Sequence, residues 1–131
     1  MVIIKNWRNA CPTIAHKVGI DWRLLSMEGA KTSGDIEIEI EDPKFRCLKA
    51  ITYVSLAQLQ PSLTYESHLH KDHEEIYYII RGTGTITIGN DTSRFRDGDI
   101  IYIPVNTLHS IGNDGEEMME FLAFGGYTGE K

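Results

Sequence analysis

The stretch Tyr65-Glu66-Ser67-His68-Leu69-His70-Lys71-Asp72-His73-Glu74-Glu75-Ile76-Tyr77-Tyr78-Ile79-Ile80 sets two histidines two residues apart, then a polar break, then a run of β-branched and aromatic residues. On an extended strand a spacing of two aims both imidazoles, those of His68 and His70, at one face. Lys71 to Glu74 suit a tight connection, and Glu75 to Ile80 have the composition of a strand. A returning strand would set Glu75 opposite the histidine pair. Further on, His109 follows Gly98 and Pro104 in a turn-rich run and supplies a fourth candidate ligand. Imidazoles with one carboxylate suit a divalent first-row ion such as Zn, Fe, Ni, Mn or Co, and leave positions open for water or substrate.

Strands are expected on both sides of this stretch. Ile36-Glu37-Ile38-Glu39-Ile40-Glu41 alternates isoleucine with glutamate, the pattern of a half-buried strand with a solvated face. Leu48 to Leu59 is apolar on both faces and is punctuated by Gln60-Pro61-Ser62. Short strands are expected at Thr85–Ile88, Thr92–Arg96, Ile100–Ile103 and Leu108–Ile111, divided by Gly- and Asn-containing turns, with a last one at Glu117–Phe124. Regular short strands describe a barrel or sandwich. Gly82-Thr83-Gly84 reads as a turn, because no helix follows it.

At 131 residues the chain suits a single core. Its net charge of −6 argues against nucleic acid or an anionic membrane as a partner. No apolar run reaches the length of a membrane span, and the first eight residues lack the core of a secretory signal, so a cytoplasmic location is expected. Cys11 and Cys47 are expected to be free thiols with no catalytic role.

The spacing of these residues resembles the two motifs of the cupin superfamily. The first motif runs glycine, five residues, His-X-His, three or four residues, Glu, six residues, glycine. Here Ser62 stands in place of the leading glycine, and His68, His70, Glu75 and Gly82 follow in step. In the second motif Gly98, Pro104, His109 and Asn113 fall in step, and Asn106 replaces the middle glycine. Asn tolerates the left-handed backbone better than most residues, which keeps the turn feasible. The resemblance implies an all-β, cupin-type double-stranded β-helix, or jelly-roll barrel, as one domain over residues 1–131. Residues 1–47 would form N-terminal strands or an extension, 48–125 the barrel, and 126–131 a tail. It also implies metal binding by His68, His70, Glu75 and His109, and a homodimer.

Strand parity proposes a second set. Glu66 shares a face with His68 and His70, and Tyr77 shares one with Glu75, so both are candidates for acid or base work. The structural alternative is that Glu66 orients a histidine and Tyr77 packs. Tyr53, Tyr102 and Arg23 could reach the cavity, Arg23 as a carboxylate anchor, while His16 and His73 read as surface residues. The function expected is that of a metal-dependent enzyme acting on a small polar molecule, an organic acid or sugar acid, by Lewis-acid-assisted lyase, isomerase or decarboxylase chemistry. Two alternatives stand beside it: an Fe(II) dioxygenase, and a non-catalytic module that binds a sugar or organic acid. Among small cupins, the dimethylsulfoniopropionate lyases use a tyrosine near the metal, an arrangement compatible with Glu75-Ile76-Tyr77.

Overall fold

The computed structural model describes residues 1–28, 32–33, 36–37 and 42–129. Eleven strands are defined among them: β1 Thr13–Ala15, β2 Gly19–Ser26, β3 Thr32–Ser33, β4 Ile36–Glu37, β5 Ile51–Leu59, β6 His73–Arg81, β7 Thr83–Ile88, β8 Asp91–Arg96, β9 Ile100–Ile103, β10 His109–Asn113 and β11 Met119–Tyr127. The only helical pieces among the described residues are single 3-10 turns at Trp7–Asn9 and Pro43–Phe45. Six strands form one sheet in the order β1-β2-β5-β11-β6-β9, and three form another in the order β10-β7-β8. Every pairing between named strands is antiparallel, the arrangement of a jelly roll.

Alternation along β6 shows how the interior is built. His73, Glu75, Tyr77 and Ile79 point inward, whereas Tyr78 and Ile80 face out. At one end Ile79 joins Leu59, Ile103, Ile111, Met119 and Phe121, all essentially inaccessible to solvent. Full burial of such side chains stabilises the fold by about 1.5–3 kcal/mol each. Toward the other end the interior turns polar and opens.

The opening comes from small residues placed opposite large ones. In register with Tyr77 and Glu75 on β6 stand Ala123 and Gly125 on β11, and beyond them β5 sets Ser55 beside Ala123 and Ala57 beside Phe121. A side chain at Gly125 would meet the Glu74 carbonyl at 2.5 Å. Short side chains there leave a cavity of about 430 Å³ whose walls include His16, Arg23, Tyr53, His70, Glu75 and Tyr77.

Three expectations change. The last strand runs on to Tyr127, because Gly125, Gly126 and Tyr127 continue the pairing with β6. Ile36–Glu37 pairs with Thr32–Ser33 as a small separate sheet, and the rest of the strand expected up to Glu41 lies outside the described residues. Residues 60–72, where a histidine strand was expected, make only the isolated bridges Thr64↔Gly112 and His68↔His109.

Candidate metal centre

The histidine segment lies along β10 rather than beside β6. His68 and His109 exchange both backbone hydrogen bonds, at 3.1 and 2.9 Å, which places their imidazole centroids 4.2 Å apart. His70 is tied down by its carbonyl, which accepts the Asn106 N–H at 2.6 Å. Asn106 adopts φ 56°, so the residue in the second motif's glycine position does take the left-handed conformation. Ser62, in the first motif's glycine position, does the same at φ 70°. The two missing glycines thus leave the backbone geometry intact at a conformational cost.

Glu75 reaches the histidines from the opposite sheet. Its strand pairs with β11 and β9, not with the histidine segment, so the carboxylate meets the imidazoles across the interior rather than across a hairpin. Oε1 lies 3.3 Å from His70 Nε2 and 3.6 Å from His109 Nε2. The other carboxylate oxygen accepts the Tyr53 hydroxyl, and the Tyr77 hydroxyl also hydrogen-bonds to Glu75.

Burial sets the protonation of these groups. It lifts the Glu75 carboxyl to about 8, against the opposing influence of the Tyr77 hydrogen bond and the Arg23 charge. Burial likewise lowers His70 to about 3, with the neighbouring imidazoles adding to the effect. His109 falls to about 4 for the same first reason, although the Thr107 carbonyl bonded to its Nδ1 acts in the opposite direction. Both imidazoles are therefore neutral at physiological pH, the form that binds a metal.

The donor atoms themselves are unsatisfied. Nε2 of His68, His70 and His109 and Oε1 of Glu75 are buried with no hydrogen-bond partner. The donor atoms of His68, His70 and His109 lie within 4.8 Å of one another, as do those of His70, His73 and Glu75. Buried polar atoms without partners are rare, and a divalent cation would satisfy this set, so the residues fit a metal ion. His68 Nδ1 lies 2.9 Å from the Glu66 carbonyl and His109 Nδ1 3.0 Å from the Thr107 carbonyl, which orients each ring with Nε2 inward.

Other expected site residues divide. Tyr77 and Tyr53 are buried in the cavity wall, and Tyr77, also flanked by the Glu75 charge, has its hydroxyl pushed well above the usual phenol range, by burial first. Arg23 lies on the same wall, its guanidinium 4.1 Å from the Tyr53 ring centre and its Nε 3.8 Å from Asp21. Tyr102 does not reach the cavity, because its exposed hydroxyl donates to Glu74 on the outer face.

Glu66 does not reach it either. Its carboxylate is exposed and pairs with Lys17 at 3.2 Å, while Tyr65 turns inward instead. The two bridges give the reason: from Thr64 to His68 is four steps, but the opposite path from Gly112 to His109 is three. One extra residue in the segment reverses the alternation between Tyr65 and His68, so parity does not carry back to Glu66.

Sequence reasoning also missed two histidines, both read as surface residues. His73 points inward beside Glu75 with its ring stacked on His70 at 4.3 Å, and only 15% of its side chain is exposed. His16 sits on the β1–β2 turn at φ 50° and stacks on His68 at 4.0 Å. The inward parity of His73 with Glu75 was available from the sequence; the reach of His16 was not. Cys11 and Cys47 are free.

A jelly roll with a buried His/Glu group that could hold a metal ion defines a class, and comparison with known proteins names the family. A Cupin domain matches residues 55–125, and the chain belongs to the cupin family. It is 44% identical over 55 residues to an uncharacterised protein of Methanocaldococcus jannaschii, a match over 42% of this chain and 44% of that one. It is 29% identical over 101 residues to an oxalate-binding protein of Thermotoga maritima, covering 77% of this chain and 82% of the relative. Among solved structures, one from Thermotoga maritima described as a predicted oxalate decarboxylase superposes with a TM-score of 0.72 at 21% identity, over 95% of this chain and 99% of that one. The chain thus spans less than half the length of the archaeal relative.

Proposed function

We propose that this chain is a metal-dependent cupin acting on a small organic acid or sugar acid, with His68, His70, Glu75 and His109 as ligands. The observation that carries this reading is a set of four buried, partnerless donor atoms: His68, His70 and Glu75 line a cavity of about 430 Å³, and His109 Nε2 lies within 4.8 Å of the other two imidazole donors. A bound divalent ion would supply Lewis acidity there. The chain's own residues would do the rest. Arg23, with its planar fork of donors, would hold a substrate carboxylate. Tyr53 and Tyr77 would fix the Glu75 carboxylate, and the Tyr77 hydroxyl would give or take a proton at a substrate oxygen. The likeness to an oxalate-binding protein supports a small carboxylate as ligand.

The reaction class follows from the ion: lyase, isomerase or decarboxylase chemistry for a redox-silent metal, dioxygenase chemistry for Fe(II). A cytoplasmic homodimer completes the proposal. Its support is an outward apolar stripe of Tyr78, Ile80, Ile100 and Tyr102 at the β9 edge of the large sheet. No helix among the described residues is long and apolar enough to cross a membrane.

The test is to load the purified chain with each candidate ion, offer oxalate and a panel of hydroxy and sugar acids, and follow products by NMR and binding by calorimetry. Turnover that His109→Ala abolishes supports the enzyme. Saturable binding without product favours the binding module, and neither binding nor turnover refutes both.

A further inference from the structure

We propose that His73 is an additional metal donor, so that this chain brings four imidazoles and one carboxylate to its centre; the proposal rests on the metal-centre reading above. Three observations support it independently of the motif that supplies the other ligands.

The first is orientation. His73 Nδ1 lies 2.9 Å from the Asp72 carboxylate, and its Nε2 is buried without a partner. That is the arrangement seen at His68 and His109, each with Nδ1 held by an oxygen and Nε2 directed inward. A carboxylate on the far nitrogen fixes the tautomer and raises the basicity of the ligating one, and Asp72 is the only side-chain carboxylate among these three partners. The second is convergence, since the donor atoms of His70, His73 and Glu75 lie within 4.8 Å of one another. The third is placement on a rigid element. His73 opens β6, two residues before Glu75 on the same inward face, and pairs with Tyr127 across the sheet. Its ring is packed between His70 and the edges of Tyr53 and Tyr127.

The consequence is a preference for ions that take five or six ligands, such as Fe(II), Co(II), Ni(II) and Mn(II), over tetrahedral Zn(II). With five protein donors, a six-coordinate ion would keep one position for a small-molecule oxygen. The two donor groups share His70, so an ion held by both would draw donors from β6 as well as from the β10 side.

The experiment uses the full chain loaded with Co(II). Paramagnetically shifted, exchangeable Nδ1–H resonances count ligating imidazoles, and affinity is measured by competition with a chromophoric chelator. The expected spectrum has one such resonance for each of His68, His70, His73 and His109, and one fewer in His73→Asn. Affinity should fall by about tenfold or more, the scale on which even outer partners of a metal ligand act. Asp72→Asn, which alters an exposed carboxylate and leaves the packing alone, should shift one resonance and keep the others. Glu74→Gln, on the outward face of β6, should change nothing. Thermal unfolding checks that each variant folds, and His73→Gln replaces His73→Asn if it does not. An unchanged count and affinity on removal of His73 would overturn this proposal and leave the four-ligand centre standing. A wild-type chain that binds no Co(II) would overturn both.

Discussion

Replacing Ser62 with glycine should stabilise the chain even though a side chain is lost. Ser62 is exposed and sits at φ 70°. For a residue with a Cβ that conformation costs roughly 1–2 kcal/mol, and glycine relieves it. Glycine also has more freedom to lose on folding, which returns about 0.4–1 kcal/mol to the unfolded side. The difference leaves a net gain of about 0.5–1 kcal/mol, or a rise in Tm of roughly 2–4 °C for a domain of this size. The backbone hydrogen bond from Ser62 N–H to the Asn113 carbonyl, 2.9 Å long, needs no side chain and persists. Asn106→Gly is the companion measurement. It releases the same kind of strain at φ 56°, but asparagine tolerates that region better, so the gain should be smaller. The assay is urea unfolding of the metal-free chain, with the midpoint shifting at constant slope. A lower midpoint for Ser62→Gly would refute the reasoning, because the serine side chain would then contribute more than the backbone penalty it imposes.

Gly19→Ala should destabilise the chain by about 1–3 kcal/mol through overpacking, since the new methyl would lie 2.5 Å from the Tyr65 ring and hydroxyl; calorimetry showing no loss would mean that the ring has room to move. Stability of the metal-free chain should peak near pH 6.5. Below that value the depressed His70 and His109, at about 3 and 4, stay neutral in the fold while the unfolded chain takes up protons, so stability rises with pH up to the ordinary histidine value of 6.5. Above it, Glu75 at about 8 still holds a proton that the unfolded chain has released, so stability falls toward pH 8. Glu75→Gln should remove that fall, and a metal-free variant as pH-sensitive above 6.5 as the parent would contradict the assignment. A saturating divalent ion should raise the unfolding free energy of the wild type by about 2.7 kcal/mol at a hundredfold excess over Kd; no rise in Tm on titration would count against a folded-state site.

The fold was legible because its strands are short, alternate in polarity and are divided by turn residues, and because the spacing of His68, His70, Glu75 and His109 survives with two glycines replaced. What period-two reasoning could not see was the extra residue between Tyr65 and His68. It turned Glu66 out to Lys17 and brought Tyr65 in, and a register change of one reverses every facing beyond it. The route by which Glu75 meets the histidines was also hidden, because contact across the interior depends on which strands pair and not on which are consecutive. The cavity did leave a trace in the sequence. Ser55, Ala57, Ala123 and Gly125 are small residues at inward positions of otherwise apolar strands, and they become meaningful only once the register sets them against Tyr77 and Glu75. His16 is a consequence of a left-handed turn that nothing in its neighbourhood announces.

The central claim is that the His/Glu group holds a metal ion. Elemental analysis of the chain purified without a histidine tag or added metal tests it most directly, in parallel with the His68→Ala/His70→Ala double variant. The account predicts close to one first-row divalent ion per chain in the parent and none in the variant, with iron pointing to dioxygen chemistry and Zn, Ni or Mn to lyase or isomerase chemistry. A parent that carries no metal, and takes up none when reconstituted with these ions, would contradict it.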